Sequence, residues 1–136
     1  MVGMHGTYEA NMAMQECDVL FAVGARFDDR VIGNPSDFER PSRTIIQVDV
    51  DPSSISKNVQ TDVPIVGDVR EVLSEMVRLL KESGDRPDPA ATAQWVKDIT
   101  LWRSKKCLAY KTKKTGPIQP QAVIERVAGA AGNDAH

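Results

Sequence analysis

Apolar residues fall into short blocks along this chain, and two different spacings alternate from block to block. After Thr7, a residue suited to capping a helix, Ala10, Ala13, Met14 and Cys17 recur at i, i+3, i+4 and i+7 and predict a first helix. Asp18 then precedes Val19-Leu20-Phe21-Ala22-Val23, an unbroken apolar run closed by Gly24. That is the pattern of a strand buried on both faces. A polar, turn-rich stretch from Asp28 to Ser42 leads to a second strand, Thr44 to Val50, which Asp51-Pro52 breaks. Pro52 suits the first turn of a short helix around Ile55. Val63-Pro64-Ile65-Val66 reads as a third strand, and Pro64, lacking an N–H, argues for an edge or an irregular start.

The helix that follows has the clearest signal. Asp68 and Glu71 form a capping-box pattern, and Val69, Val72, Leu73, Met76, Val77 and Leu80 share one face. Gly84 closes it. This face and cap make Val63 to Leu80 the expected centre of stability. Asp85 to Pro89 is a stiff linker. Beyond it, Ala90 to Ala109 predicts a helix with Trp95, Ile99 and Trp102 on one side, and Tyr110 to Gly116 reads as exposed. Pro120 can open a last helix carrying Val123, Ile124, Val127 and Ala131 on one face. Strands alternating with helices predict an α/β fold: a partial doubly wound parallel sheet of about three strands, with a C-terminal helical extension. Residues 1–84 belong to the sheet domain and 85–136 to the linker and helices.

Composition narrows the function classes. The chain has 136 residues, of which 41% are hydrophobic and 26% charged, an ordinary soluble balance at one-domain length. A net charge of -2 gives it no general attraction for nucleic acid. The cluster Arg103, Lys105, Lys106, Lys111, Lys113 and Lys114, with Trp102 and Tyr110 nearby, reads better as a solvated helix end and loop than as a phosphate-backbone site. No apolar run approaches the roughly 20 residues that span a bilayer, and the N-terminus lacks the basic-then-apolar order of a targeting segment. Cys17 and Cys107 lie far apart and form no metal-ligand spacing, so they read as isolated buried thiols in a reducing cytoplasm. The chain opens on a glycine-rich turn and stops at Asp134-Ala135-His136 without a closing element, which reads as truncation.

Candidate chemistry gathers at the strand ends, where open parallel sheets bind ligands. Gly24-Ala25-Arg26-Phe27-Asp28-Asp29-Arg30 follows the first strand, Asp49 ends the second, and Gly67-Asp68 follows the third at a helix start. Glycine admits a ligand to the backbone, arginine offers a fork to phosphate, and an acidic strand end accepts from ribose hydroxyls. Gly3 and Gly6 add a turn before another helix start. Together these suit a dinucleotide laid across the sheet edge. Each also has a plainer explanation: Asp68 as a helix cap, Asp49 as the start of an Asx turn with Asp51, Asp28-Asp29-Arg30 as a solvated loop, and His5 as a turn residue. The spacing is not Gly-x-Gly-x-x-Gly, so a nicotinamide cofactor is not indicated.

Several ordered motifs match one family. Gly3-Met4-His5-Gly6-Thr7-Tyr8-Glu9-Ala10-Asn11 and Ala22-Val23-Gly24-Ala25-Arg26-Phe27-Asp28-Asp29-Arg30-Val31 resemble the central domain of the acetohydroxyacid synthase (acetolactate synthase) catalytic subunit. Ile46-Gln47-Val48-Asp49-Val50-Asp51-Pro52, Ile55-Ser56-Lys57-Asn58 and Val66-Gly67-Asp68-Val69 continue the likeness in order. Trp102-Arg103, Tyr110-Lys111 and Ile118-Gln119-Pro120-Gln121 resemble the segment leading to that enzyme's diphosphate-binding domain. The resemblance implies a thiamine-diphosphate carboligase that joins a pyruvate-derived two-carbon unit to a second 2-keto acid, on the way to branched-chain amino acids. It further implies Mg²⁺, an FAD without redox work, a homo-oligomer with or without a regulatory subunit, and a bacterial cytoplasmic or organellar location. By position, His5, Gly24, Ala25, Arg26, Asp28, Asp29 and Val31 would line the flavin or its channel. Asp49 and Val50 would hold the adenosine part, and Gly67, Asp68 and Val69 the adenine end. No position matches the family's activating glutamate or its diphosphate and magnesium motif, so no catalytic or metal-binding residue is expected and the chain alone should be inactive. The rival readings are a stand-alone nucleotide-binding module and an interaction protein that uses the basic helix.

Overall fold

Thr7 accepts a hydrogen bond from the Ala10 N–H and opens α1 (Tyr8–Glu16) in the computed structural model, which describes residues 1–39, 42–111 and 115–132. Three parallel strands follow, β1 (Val19–Val23), β2 (Thr44–Asp49) and β3 (Val63–Val66), in the spatial order β1-β2-β3. The α/β reading and its parallel sheet are therefore borne out. Pro64 lies on a strand with one neighbour, where a missing N–H costs no ladder bond. β1 departs from expectation, because its apolar run is buried on one face only. Ala22 is buried and Leu20 half-buried, whereas Val19, Phe21 and Val23 are exposed. That second face is left partly open.

The polar stretch before β2 contains α2 (Pro35–Phe38), a single turn opened by Asn34, whose side chain accepts from the Ser36 N–H. Pro35 supplies the fixed φ of a first helical position. This turn swings Phe38 into the core, where its ring meets Phe27 at 5.8 Å between centroids. Beside it lies the buried Arg43, whose guanidinium sits 4.7 Å from the Phe38 ring centroid. Its nitrogens donate to the carbonyls of Gln15, Cys17 and Phe38, which ties the end of α1 to the start of β2. A charge can be buried here because every guanidinium nitrogen finds a carbonyl. A 3-10 turn, Pro52–Ser54, follows β2 and ends just before Ile55.

Asp68 caps α3 (Val69–Ser83) through the Arg70 and Glu71 N–H groups, and Gly84 ends it at φ +72°. Its exposed flank is laced by Arg78, which reaches both Glu75 and Glu82. α4 (Pro89–Ser104) packs against α1 and stops at Ser104 rather than Ala109. Trp95 and Trp102 do share a side, meeting edge to face at 5.6 Å. The chain divides into two compact units, 1–104 and 105–136. In the second, α5 (Pro120–Ala131) carries Glu125, which accepts from the Tyr110 hydroxyl and raises the pKa of that phenol. Lys113, Lys114 and the Asp134-Ala135-His136 terminus lie outside the described residues. Cys107 is exposed and Cys17 half-buried, so neither is the buried thiol expected.

The core also moves from where the periodicity placed it. Ala22, Phe27, Ile32, Phe38, Ile45 and Val59 form one buried cluster, and Val48 is fully buried. None of these lies on β3 or α3. The helix turns Val72, Leu73 and Met76 partly inward but leaves Val77, Leu79 and Leu80 exposed. A strong apolar face stabilises only as far as something covers it. Amide hydrogen exchange should accordingly be slowest in β2, at Ile45 to Val48, and faster in α3. Slowest exchange in α3 would return the stability centre to Val63–Leu80.

Candidate functional site

The parallel register aligns the strand ends. Val23 pairs with Val48, and Asp49 with Val66, so Gly24, Val50 and Gly67 all emerge at the carboxyl edge of the sheet. Two backbone bonds carry the ladder past the strands: Gly24 N–H to the Val48 carbonyl (2.8 Å) and Gly67 N–H to the Asp49 carbonyl (3.0 Å). Gly24 sits at φ +61°, and a Cβ added there would meet no heavy atom within 4 Å, so its backbone is open to approach. Gly67 differs. A Cβ there would come within 3.0 Å of the Val72 side chain, so its small size serves the packing of α3.

The loop after β1 is held from beneath by two side-chain amides. Gln47, on β2 and only 1% exposed, donates through Nε2 to the Ala25 carbonyl at 3.0 Å and to the Ser54 carbonyl at 3.2 Å. Its Oε1 accepts from the Ser56 N–H at 3.2 Å and the Thr61 hydroxyl at 2.7 Å. Two donors and two lone pairs exhaust what an amide side chain can offer. Asn58 adds a bond from Nδ2 to the Arg26 carbonyl at 2.8 Å. Phe27 then adopts φ +51°, a conformation an aromatic residue rarely takes, with its ring anchored in the core. The Arg26 side chain remains exposed, at one end of an open, largely apolar groove of about 690 Å³ between α1 and β1.

The glycine turn at the N-terminus meets the other end of this loop. Asn11 clamps Gly3 twice, accepting from its N–H at 2.7 Å and donating to its carbonyl at 2.9 Å. Met4 N–H donates to the Arg30 carbonyl at 2.8 Å. His5, the next residue, is exposed. Asp28 accepts from the Arg30 N–H through its side chain, while Asp29 is exposed. Ala25 and Val31 pack partly against the core cluster.

On the second strand, Asp49 accepts from the Asp51 N–H at 2.9 Å, forming an Asx turn that leaves one carboxylate oxygen without a bond among the described residues. Val50 is exposed beside it. Asp51 accepts from both the hydroxyl and the N–H of Ser53, which holds its carboxyl below the usual pKa range. Asp68 is engaged as the α3 cap, and Val69 occupies that helix's first turn, half-buried. The structure thus gathers Gly24–Arg26, Asp49–Val50 and Gly67–Val69 along one edge, with His5 and Asp28–Val31 in a neighbouring group. Residue-type reasoning did not single out Gln47, Asn58, Arg43 or Asn11. The available signal was Gln47 itself, an uncharged polar residue in the middle of an apolar strand.

Among the described residues, no group of three or more His, Cys, Asp or Glu is placed to hold a metal ion, and no helix is long and apolar enough to cross a membrane. Residues 1–76 match the family model for the thiamine pyrophosphate enzyme central domain. The acetolactate synthase isozyme 3 large subunit of Escherichia coli (strain K12) is 46% identical over 136 residues, all of this chain and 23% of that relative. The acetolactate synthase large subunit of Buchnera aphidicola subsp. Schizaphis graminum is 48% identical over 125 residues, 92% of this chain and 21% of the relative. An acetolactate synthase of Mycobacterium avium is 42% identical over 135 residues, again covering 21% of its own length. The chain therefore spans about a fifth of the length of these relatives.

Gly3 gives this geometry a direct test. It lies at φ +87°, and an added Cβ would fall 2.1 Å from the Arg30 carbonyl oxygen. Gly3→Ala should lower stability by about 2 kcal/mol or more, from strain and displacement of that carbonyl together. Gly24→Ala, with open space around it, should cost only about 1 kcal/mol of left-handed strain. Urea denaturation of both variants checks the order, and equal losses would show that the turn does not bear on the loop.

Proposed function

The chain belongs to the thiamine pyrophosphate enzyme central-domain family, and from that premise we propose that it forms the FAD-binding second half of such a domain in a carboligase of the acetolactate synthase kind. The parent enzyme joins a two-carbon unit from pyruvate to a second 2-keto acid, using thiamine diphosphate and Mg²⁺. It works as a homo-oligomer, with or without a regulatory subunit, in a bacterial cytoplasm or an organelle. Residues 1–84 serve the flavin, and 85–136 lead toward a diphosphate-binding domain.

The aligned strand ends carry this reading. An extended dinucleotide needs phosphate donors near its middle and an acceptor for ribose hydroxyls further along the same edge. Arg26 can supply the first, because its exposed guanidinium follows an open glycine. Asp49 can supply the second through its remaining oxygen. Gly67, Asp68 and Val69 lie beyond it for the adenine, while His5, Ala25, Asp28, Asp29 and Val31 flank the flavin side. The flavin, when bound, contributes shape and no redox step. Thiamine diphosphate and Mg²⁺ are held elsewhere in the parent enzyme, and this chain's part is to bind and orient the flavin.

Two outcomes are expected. The chain alone makes no acetolactate from pyruvate with thiamine diphosphate, Mg²⁺ and FAD supplied, and a colorimetric acetoin assay well above the blank would overturn its assignment to a binding role. In the complete parent enzyme, Arg26→Lys and Arg26→Ala should each weaken FAD binding to apo-protein. Loss of a charge-assisted bond is worth roughly 1.5–3 kcal/mol, or about ten- to a hundred-fold in affinity. Equal affinity in all three proteins would make Arg26 a surface residue.

A further inference from the structure

The loop that bears Arg26 is shaped by residues that touch no ligand. A trans peptide places its C=O and the following N–H on opposite sides. Gln47 draws the Ala25 carbonyl toward the segment 54–61, so the Arg26 N–H turns away from that segment. Asn58 does the same to the Arg26 carbonyl, so the Phe27 N–H turns away as well. Neither N–H donates to any group among the described residues. Two successive donors are thus left without a partner among the described residues beside the Arg26 side chain, an arrangement suited to an anion. Were the amide donors absent, either peptide could rotate and present a carbonyl oxygen to the phosphate instead.

We propose that Gln47 and Asn58 are positioning residues for the dinucleotide's diphosphate, acting through the Ala25–Arg26 and Arg26–Phe27 peptides. This rests on the flavin reading of the site, which is why the test needs two separate readouts. Gln47 is the more deeply built of the two. The same side chain pins Ser54, Ser56 and Thr61, so the loop after β1 and the segment between β2 and β3 are registered against each other by one amide. Asn58 is exposed and makes a single bond to this loop, so it can be removed without opening the core.

The experiment compares wild type, Asn58→Ala, Gln47→Met, Arg26→Ala and the double variant Arg26→Ala/Asn58→Ala. ¹⁵N relaxation on the chain reads the order of the Arg26 and Phe27 amides, and a fluorescence titration of the complete parent enzyme's apo-protein with FAD reads binding. Order parameters near 0.85 in wild type, falling toward about 0.6 in Asn58→Ala at an unchanged Tm, are the expected result. FAD affinity should fall about ten-fold in Asn58→Ala, and adding Asn58→Ala to Arg26→Ala should weaken it further, because the Arg26→Ala backbone keeps the same peptide N–H groups. Gln47→Met should show both effects more strongly; if it fails to fold, Asn58→Ala still decides. Unchanged amide order in Asn58→Ala overturns the positioning role whatever FAD does. Changed order with no FAD binding in wild type leaves the loop's positioning standing and overturns the flavin reading alone. Equal FAD affinity in wild type and Asn58→Ala overturns the role toward the ligand.

Discussion

A single buried amide holds the carboxyl edge of this sheet together. Gln47 lies in the central strand with its side chain fully bonded, and its four partners come from the loop after β1 and the connection between β2 and β3. Removing it would strand two carbonyls, an N–H and a hydroxyl, of which Ser54 and Thr61 are buried. Each buried group left unmet costs about 1–3 kcal/mol. An apolar side chain of the same size would pack equally well and could not do this, because dispersion has no direction. Polar saturation is what turns two loops into one surface.

The opposite end of the sheet uses the same device with a charge. Arg43 enters the core only because the Gln15, Cys17 and Phe38 carbonyls surround its guanidinium and the Phe38 ring lies beneath it. Two of those carbonyls belong to the end of α1, where a helix exposes unbonded oxygens. Arg43 therefore fixes how α1 meets β2, and Gln47 fixes how the loops leave β1 and β2. The apolar cluster between them gives cohesion, and these two side chains give register.

Most of the elements were legible because their signals are local. Thr7 and Asp68 cap, Gly84 terminates, Pro52 starts a turn, and apolar runs mark strands. The helical spacing of the α3 residues was also legible, but burial was not. Period tells which residues share a face and says nothing about whether another element covers it, which is why β1 and α3 look more buried on paper than they are. Asp49 shows the same limit at the site. An aspartate there suits both an Asx turn with Asp51 and a role toward ribose, and one carboxylate oxygen makes the turn while the other does not. α2 was hidden because one helical turn is too short to display a period. Gln47 and Asn58 escaped because their importance lies in partners far away in sequence.

Strain at Phe27 shows how the two kinds of interaction divide the work. A phenylalanine at φ +51° is costly by about 1–3 kcal/mol, and the cost is borne only where surroundings over-determine the conformation. Here the ring is anchored among Phe38 and its neighbours on one side, while Gln47 and Asn58 hold the two preceding carbonyls on the other. The core thus forces the chain to turn, and the amides decide which way its peptides face. The first requirement could be met by many apolar residues. The second needs donors at fixed points, and it determines whether the loop offers N–H groups or oxygens to whatever lies across the strand ends.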